Sequence, residues 1–355
     1  MMSRLDRYVA TQVLSAIFIV LIVVLGLDFL FAYVDESQDA TDTYTSAVIL
    51  QYLLLGVPGS FYEFLPLSSL VGCLIGLGML AGNSELTVMR AAGISTVRIV
   101  FSVVKPALLL AFIAMAVGEF VVPKTEQLAQ SIKATAEGRG KALYSQYGVW
   151  HREADTFIHI NAVIPGGKIE GVTQFEFDEE GVLIASSFAK YGIFKNQQWQ
   201  LFDISKTSFF TDHTQVSTQA QLDYDLQLTP ELLSSLVVEP EDLALTRLWS
   251  FANYLLEQQL QADTYFLAFW AKVFQPLNVI ALVMIGILFI FGPLRSVTVG
   301  QRVIAGVLTG LTFKFTQDIF AQMSSVAGLS PIVAVLVPIF GCMLLGYILL
   351  LRSKV

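Results

Sequence analysis

The chain has 355 residues, 55% of them hydrophobic and only 14% charged, with a mean hydropathy of +0.65. Soluble globular proteins carry about 25% charged residues, so this balance points to a membrane. A net charge of −8 removes the basic surface that a nucleic-acid partner requires. Cys73 and Cys342 both fall in apolar runs, which leaves no disulfide framework and no cysteine-based metal site.

Taken in order, residues 1–8 lead directly into an apolar run without a small-residue cleavage site, so 9–33 is expected to be an uncleaved first span. Runs of the roughly 20 apolar residues that a crossing needs recur at 97–121, 268–291, 303–323 and 330–351. The stretch 47–81 is apolar throughout but is interrupted by Pro58, Gly59 and Pro66. One crossing is expected there, at about 62–81, with 46–57 lying along the outer surface. Charge supports this parity. Segments 1–8, 81–98, 292–302 and 352–355 hold eight Lys/Arg against two acids, Asp6 and Glu85. The loop after the first span carries Asp35, Glu36, Asp39 and Asp42 and no base. Basic segments stay in the cytoplasm, so both termini and the 81–98 loop are expected there. Six transmembrane helices follow.

The segment 122–267, between the third and fourth spans, is then outside, and its acids outnumber its bases 19 to 10. Apolar and polar residues alternate from Gln215 to Leu228, which predicts a strand with one buried face. Residues 169–177 and 182–194 flank Asp178–Gly181, and 182–194 meets 198–210 across Lys195–Gln197; both gaps read as hairpin turns. The expectation is an all-β, jelly-roll-like sandwich, joined to the membrane by helical connectors at 122–145 and 240–262. The chain thus divides into spans one to three (1–121), an outer β domain (122–267) and spans four to six (268–355).

Catalytic signals are absent. Gly138–Lys141 lacks P-loop spacing, and His151, His159 and His213 read as solvated strand residues rather than a metal set. The segment 83–93 is more informative. Asn83 or Ser84 can cap a short helix, Glu85 complements its dipole, and Gly93 can close it after Arg90. Leu86, Val88 and Met89 need a partner, either lipid headgroups or the groove of a soluble ATPase. Charges inside spans are costly in lipid, and here they are Asp28, Glu63, Lys105, Glu119, Lys272, Lys314 and Asp318. Lys314 and Asp318 are spaced to pair on one helix face. Structural pairing, a proton relay and a polar lining for an amphipathic substrate all remain open. Ser68, Gly72 and Gly76, like Gly306 and Gly310, recur at the spacing that lets membrane helices approach closely, either within the chain or against a second permease.

Leu5-Asp-Arg-Tyr8, Gly76-Leu-Gly-Met-Leu80 running into Asn83–Gly93, Lys272-Val-Phe-Gln-Pro-Leu277 and Phe291-Gly-Pro-Leu-Arg-Ser296 together resemble the LptF/LptG family of lipopolysaccharide-export permeases, with the last turn nearer the G type than the F type. The resemblance implies a non-enzymatic inner-membrane permease of a Gram-negative bacterium, with a periplasmic jelly roll. It implies a heterodimer with the F-type homologue, two copies of a cytoplasmic ATPase that bind the ATP and Mg²⁺, a bitopic LptC-type protein and a periplasmic bridge protein. No cofactor is expected on this chain. Glu85, with Leu86, Val88, Met89 and Arg90, matches the helix that meets the ATPase. An apolar wall for acyl chains falls to Phe29, Phe31, Phe61, Phe64, Phe313 and Phe320, with Asp28, Glu63, Lys272, Lys314 and Asp318 as its polar groups. Some family members carry lysines at the mouth, where this chain has Ala32, Gln38, Asp39 and Gly59, so this mouth is acidic. Two other readings stay open: a proton-coupled secondary transporter using Asp28, Glu63, Glu119 and Asp318, and an exporter of the same architecture for another lipid.

Overall fold

The computed structural model describes residues 4–136, 261–291, 297–352 and 149–257, the last without 154, 165–166, 179, 196, 211, 225–228, 231–232 and 234–238. The turn 292–296, the connector end 137–145 and the strand residues 225–228 lie outside the described residues. The helices are α1 Arg4–Glu36, α2 Ser46–Gly82, α3 Glu85–Ala91, α4 Thr96–Phe120, α5 Val122–Ala136, α6 Leu245–Glu257, α7 Asp263–Val273, α8 Gln275–Phe291, α9 Val299–Ala327 and α10 Pro331–Arg352. Three are long and apolar enough to cross a membrane: α1, α2 and α4. The pair α7–α8, bent by 59°, makes a fourth if it forms one span. In α9, Lys314, Gln317 and Asp318 dilute the apolar character.

The expectation for α2 needs correction. Pro58 and Pro66 do not end it, and residues 46–57 are the first turns of one continuous 37-residue helix. Such a helix rises about 55 Å, nearly twice the ~30 Å hydrocarbon core, so one crossing leaves several turns projecting. Pro66 has no N–H to give to the carbonyl four residues earlier, that of Tyr62. Gln275 Nε2 donates to that carbonyl at 3.1 Å instead, so a side chain from another helix repairs the ladder.

α2 is the spine of the bundle, packed against α1, α4, α5, α8 and α9. The small residues permit this. A Cβ on Gly72 would lie 2.6 Å from Ile17 N, and one on Gly76 2.8 Å from Val13 Cα. Gly306 likewise faces Val71 and Leu74, and Gly310 faces Leu67. Both small-residue rows are therefore used within the chain. The core they close runs through Val9, Val13 and Ile17 of α1, Leu70, Leu74 and Leu77 of α2, Val103 and Ala107 of α4, and Val279, Val283 and Ile287 of α8. α9 opens on a capping box, Thr298 with Gln301, and closes at Gly328 in the left-handed conformation two residues before α10.

Among the described residues the strands form one six-stranded antiparallel sheet in simple order: β1 Val149–Glu153, β2 Thr156–Ile164, β3 Lys168–Phe177, β4 Leu183–Lys195, β5 Gln198–Phe209 and β6 Thr214–Tyr224. Both expected hairpins are present. Asp178 Oδ1 accepts from the N–H of Glu180 (3.0 Å) and of Val182 (2.8 Å), and Gly181 supplies the positive φ. One face buries Ile158, Ile160, Ile169, Val172, Trp199 and Leu201, with Tyr254 of α6 packed on them. The described strands are hydrogen-bonded as one sheet rather than as two separate ones. The alternation of β6 was expected to mark a buried face, yet residues 214–223 are all exposed. β6 is the edge strand and pairs only with β5 among the described strands.

Candidate functional site

Two regions gather the residues singled out above, one at each end of the bundle. At one end, Arg98 Nε meets Asp6 Oδ1 at 3.1 Å, Ser102 Oγ donates to the same oxygen, and Tyr8 OH donates to Glu85 Oε2 at 2.9 Å. The buried Arg302 lies against Gly78, where a Cβ would come within 2.8 Å of its Cδ. The start of α1, the segment 85–102 and the start of α9 thus share one end of the bundle.

The short helix α3 forms there as expected, with Glu85 in its first turn and Arg90 in its last. Its start differs from the expectation. Ser84 takes a left-handed conformation (φ 62°) and caps nothing with its side chain, while Asn83 Nδ2 reaches Glu85 Oε1 at 3.4 Å. Leu86 and Met89 are buried in the chain's own core, so neither waits for a partner. Val88, 66% exposed, Arg90 and the half-buried Glu85 remain as the face that another protein can meet.

At the opposite end, α1, the projecting turns of α2 and α5 form the acidic mouth. Asp28 Oδ2 accepts from Ser60 Oγ at 2.7 Å. Glu36 accepts from Tyr44 OH at 2.8 Å and pairs with Lys133 of α5, whose ammonium also lies over the Tyr52 ring at 5.1 Å. Sequence reading missed Lys133, because nothing local says that α5 folds back across α1. Lys314 pairs with Asp318 at 3.9 Å as expected, and also with Glu63 of α2 at 3.7 Å. Lys272 is elsewhere, buried at the junction of α7 with α4 and with the segment preceding α6.

The six phenylalanines do not converge. Phe313 is 6% exposed and belongs to the core, Phe61 and Phe64 pack against that core, and Phe31 is 68% exposed on the outer surface. Only Phe29 lines the small cavity between α1 and α2, with Asp28, Ser60, Tyr52 and Glu126. That cavity holds about 90 Å³, room for roughly three waters. No acyl chain fits within it. Of the described residues, no three His, Cys, Asp or Glu are grouped to hold a metal ion.

Comparison with known proteins explains this combination of an apolar bundle, an inserted sheet and an exposed short helix. Residues 7–352 match the sequence model of the family described as lipopolysaccharide export system permease LptF/LptG. The lipopolysaccharide export system permease protein LptG of Escherichia coli K12 is 32% identical over 355 residues, which covers 99% of this chain and 98% of the relative. The LptG protein of Haemophilus influenzae Rd is 31% identical over 341 residues, 95% of each chain. With the match running from the first turn of α1 to the last of α10, this chain belongs to the LptF/LptG family of lipopolysaccharide export permeases.

Proposed function

We propose that this chain is one half of an ATP-driven exporter that extracts lipopolysaccharide from the outer leaflet of the inner membrane. In this reading an F-type homologue supplies the other wall. The observation that carries it is the full-length family match to lipopolysaccharide export permeases, joined to a bundle of long apolar helices with an inserted sheet. Two copies of a cytoplasmic ATPase bind ATP and Mg²⁺, one of them against Glu85, Val88 and Arg90 of α3. An LptC-type bitopic protein and a periplasmic bridge receive the lipid. α9 and α10 serve as the fifth and sixth crossings, both termini are cytoplasmic, and the sheet is periplasmic. An apolar path through the sheet would spare each acyl CH₂ about 0.8 kcal/mol of exposure to water.

The mouth bears on how phosphates are met. Lys133 and Lys314 are each held by carboxylates of this chain, so the bases for an anionic headgroup come from the partner permease. The deciding experiment is reconstitution of this chain with its F-type homologue and ATPase, followed by release of lipopolysaccharide to a soluble acceptor. Release should need ATP hydrolysis. Release driven by a proton gradient alone would favour the secondary transporter, and a different bound lipid by mass spectrometry would assign another cargo.

A further inference from the structure

Lys272 and Gln275 lie three residues apart on either side of the break between α7 and α8, and both reach α2 at the same residue. Gln275 Nε2 donates to the Tyr62 carbonyl that Pro66 leaves without its helical partner, at 3.1 Å. The Lys272 ammonium lies over the Tyr62 ring, 5.6 Å from its centroid. That ring in turn packs on Gly118 of α4, where a Cβ would come within 2.8 Å of it. Lys272 Nζ also donates to the carbonyls of Leu243, at 2.7 Å, and Gly118, at 3.3 Å. Gly118 sits just before the chain leaves for the sheet, and Leu243 just after it returns. Next to these residues, Glu119 Oε2 accepts from the N–H of Leu245 at 2.7 Å and so holds the first turn of α6.

A lysine only 5% exposed is costly to bury, and the carboxylates of Asp242, Glu119 and Glu241 nearby offset part of that cost. What the ammonium adds beyond charge is geometry: two hydrogen bonds and one ring contact from a single atom fasten Tyr62 of α2, the end of α4 and the returning connector to the break between α7 and α8. We infer that Lys272 and Gln275 form a coupling clamp that makes the sheet follow α2, so that bending at the Tyr62–Pro66 kink turns both connections of the periplasmic domain together. They are positioning residues for lipid hand-over and touch no lipid themselves. The inference rests on the exporter reading for its purpose, but the linkage is measurable without it.

The test uses the whole complex in nanodiscs, with Cys73 and Cys342 replaced and spin labels on cysteines introduced at Leu54 of α2 and Lys190 of β4, both exposed. Lys272→Met and Gln275→Leu should at least double the width of the distance distribution between the labels, while Lys272→Arg, which keeps cation and donors, should restore much of it. Lipid transfer to a soluble jelly-roll acceptor should fall about tenfold, with ATP hydrolysis within about twofold of the parent. An unchanged distribution overturns the clamp. So does an equal fall in hydrolysis and transfer, or failure of both variants to accumulate, since either marks a folding determinant only. If the parent complex itself transfers no lipid, the exporter reading fails, while the distance widths still decide the clamp.

Discussion

Gly72→Ala should separate the α1–α2 hairpin, and the structure sets the size of the effect. The added methyl would lie 2.6 Å from Ile17 N and 2.7 Å from Ile17 Cγ1, against an ordinary contact of 3.4 Å or more. Two helix backbones must therefore part by about 1 Å along a seam that buries Val9, Val13, Ile17 and Leu21. A gap of that size forfeits about a quarter to a half of each contact's attraction, and overpacking of this kind costs about 1–3 kcal/mol. Gly76→Ala, facing Val13 Cα at 2.8 Å, should cost somewhat less. Gly310→Ala meets the flexible tip of Leu67 and should cost under about 1 kcal/mol once that side chain turns. Gly26→Ala meets nothing within 4 Å and should stabilise α1 by roughly 0.5–1 kcal/mol, because helix interiors disfavour glycine. Thermal unfolding of the purified protein, followed by fluorescence-detected size exclusion, gives the order of the four. A Gly72→Ala midpoint equal to that of Gly26→Ala, or above that of Gly310→Ala, would refute the close-packed seam.

Three further outcomes are expected. Glu85→Lys should cut substrate-stimulated ATP hydrolysis at least about tenfold in an intact complex, while Tyr8→Phe, which removes only the 2.9 Å internal hydrogen bond, should leave it near normal; normal export by Glu85→Lys would sink the coupling role. Burial, with Glu126 as the next cause, pushes the Asp242 carboxyl up to about 7, against an opposing pull from Lys272. A raised acid penalises folding increasingly as pH climbs from the unfolded value near 4 to about 7, so the protein should be more stable at pH 5 than at pH 8. Asp242→Asn should remove that part of the slope and raise the unfolding midpoint at pH 8, the gain in stability being at most about 4 kcal/mol for a rise of about three pKa units at about 1.4 kcal/mol each; a midpoint unchanged at both pH values would refute it. Lipid binding should survive chelation of Mg²⁺ and Ca²⁺, and Glu63→Gln should leave it unchanged or tighter, whereas loss on chelation would make bridging cations the phosphate contact.

Much of this architecture was legible because it depends on local pattern. Apolar run length found α1 and α4, turn chemistry found both hairpins at Asp178–Gly181 and Lys195–Gln197, and four-residue spacing found the glycine seam and the Lys314–Asp318 pair. What failed depends on which surface covers which. Pro58 and Pro66 looked like interruptions because the donor that relieves Pro66, Gln275, is a helix from another part of the chain. The alternation of β6 reported the strand's period correctly but could not tell whether a second layer lies over either face. Leu86 and Met89 looked like a docking face for the same reason, since a short amphipathic helix reads alike whether its partner is foreign or its own core.

The two ends of α2 are built for different duties. Below Pro66 the helix is seated by glycines: its backbone touches that of α1 at Gly72 and Gly76, and contacts between backbones cannot adjust by changing rotamers. Above Pro66 the ladder lacks an internal bond at the Tyr62 carbonyl, where Gln275 Nε2 donates instead, and the Ser60 hydroxyl is tied to Asp28 of α1. Hydrogen bonds of that kind tolerate small rotations that a glycine seam does not, so α2 should bend more readily in its proline-containing half, at Pro58 and Pro66, than along the seam. The acids follow the same division. Glu63, Asp28 and Glu36 all lie on the far side of Pro66 from the glycine seam, and each is held by a hydroxyl or a lysine rather than by apolar packing. The acidic mouth is in this sense a set of adjustable fastenings on the half of the α1–α2 hairpin that the glycine seam does not close.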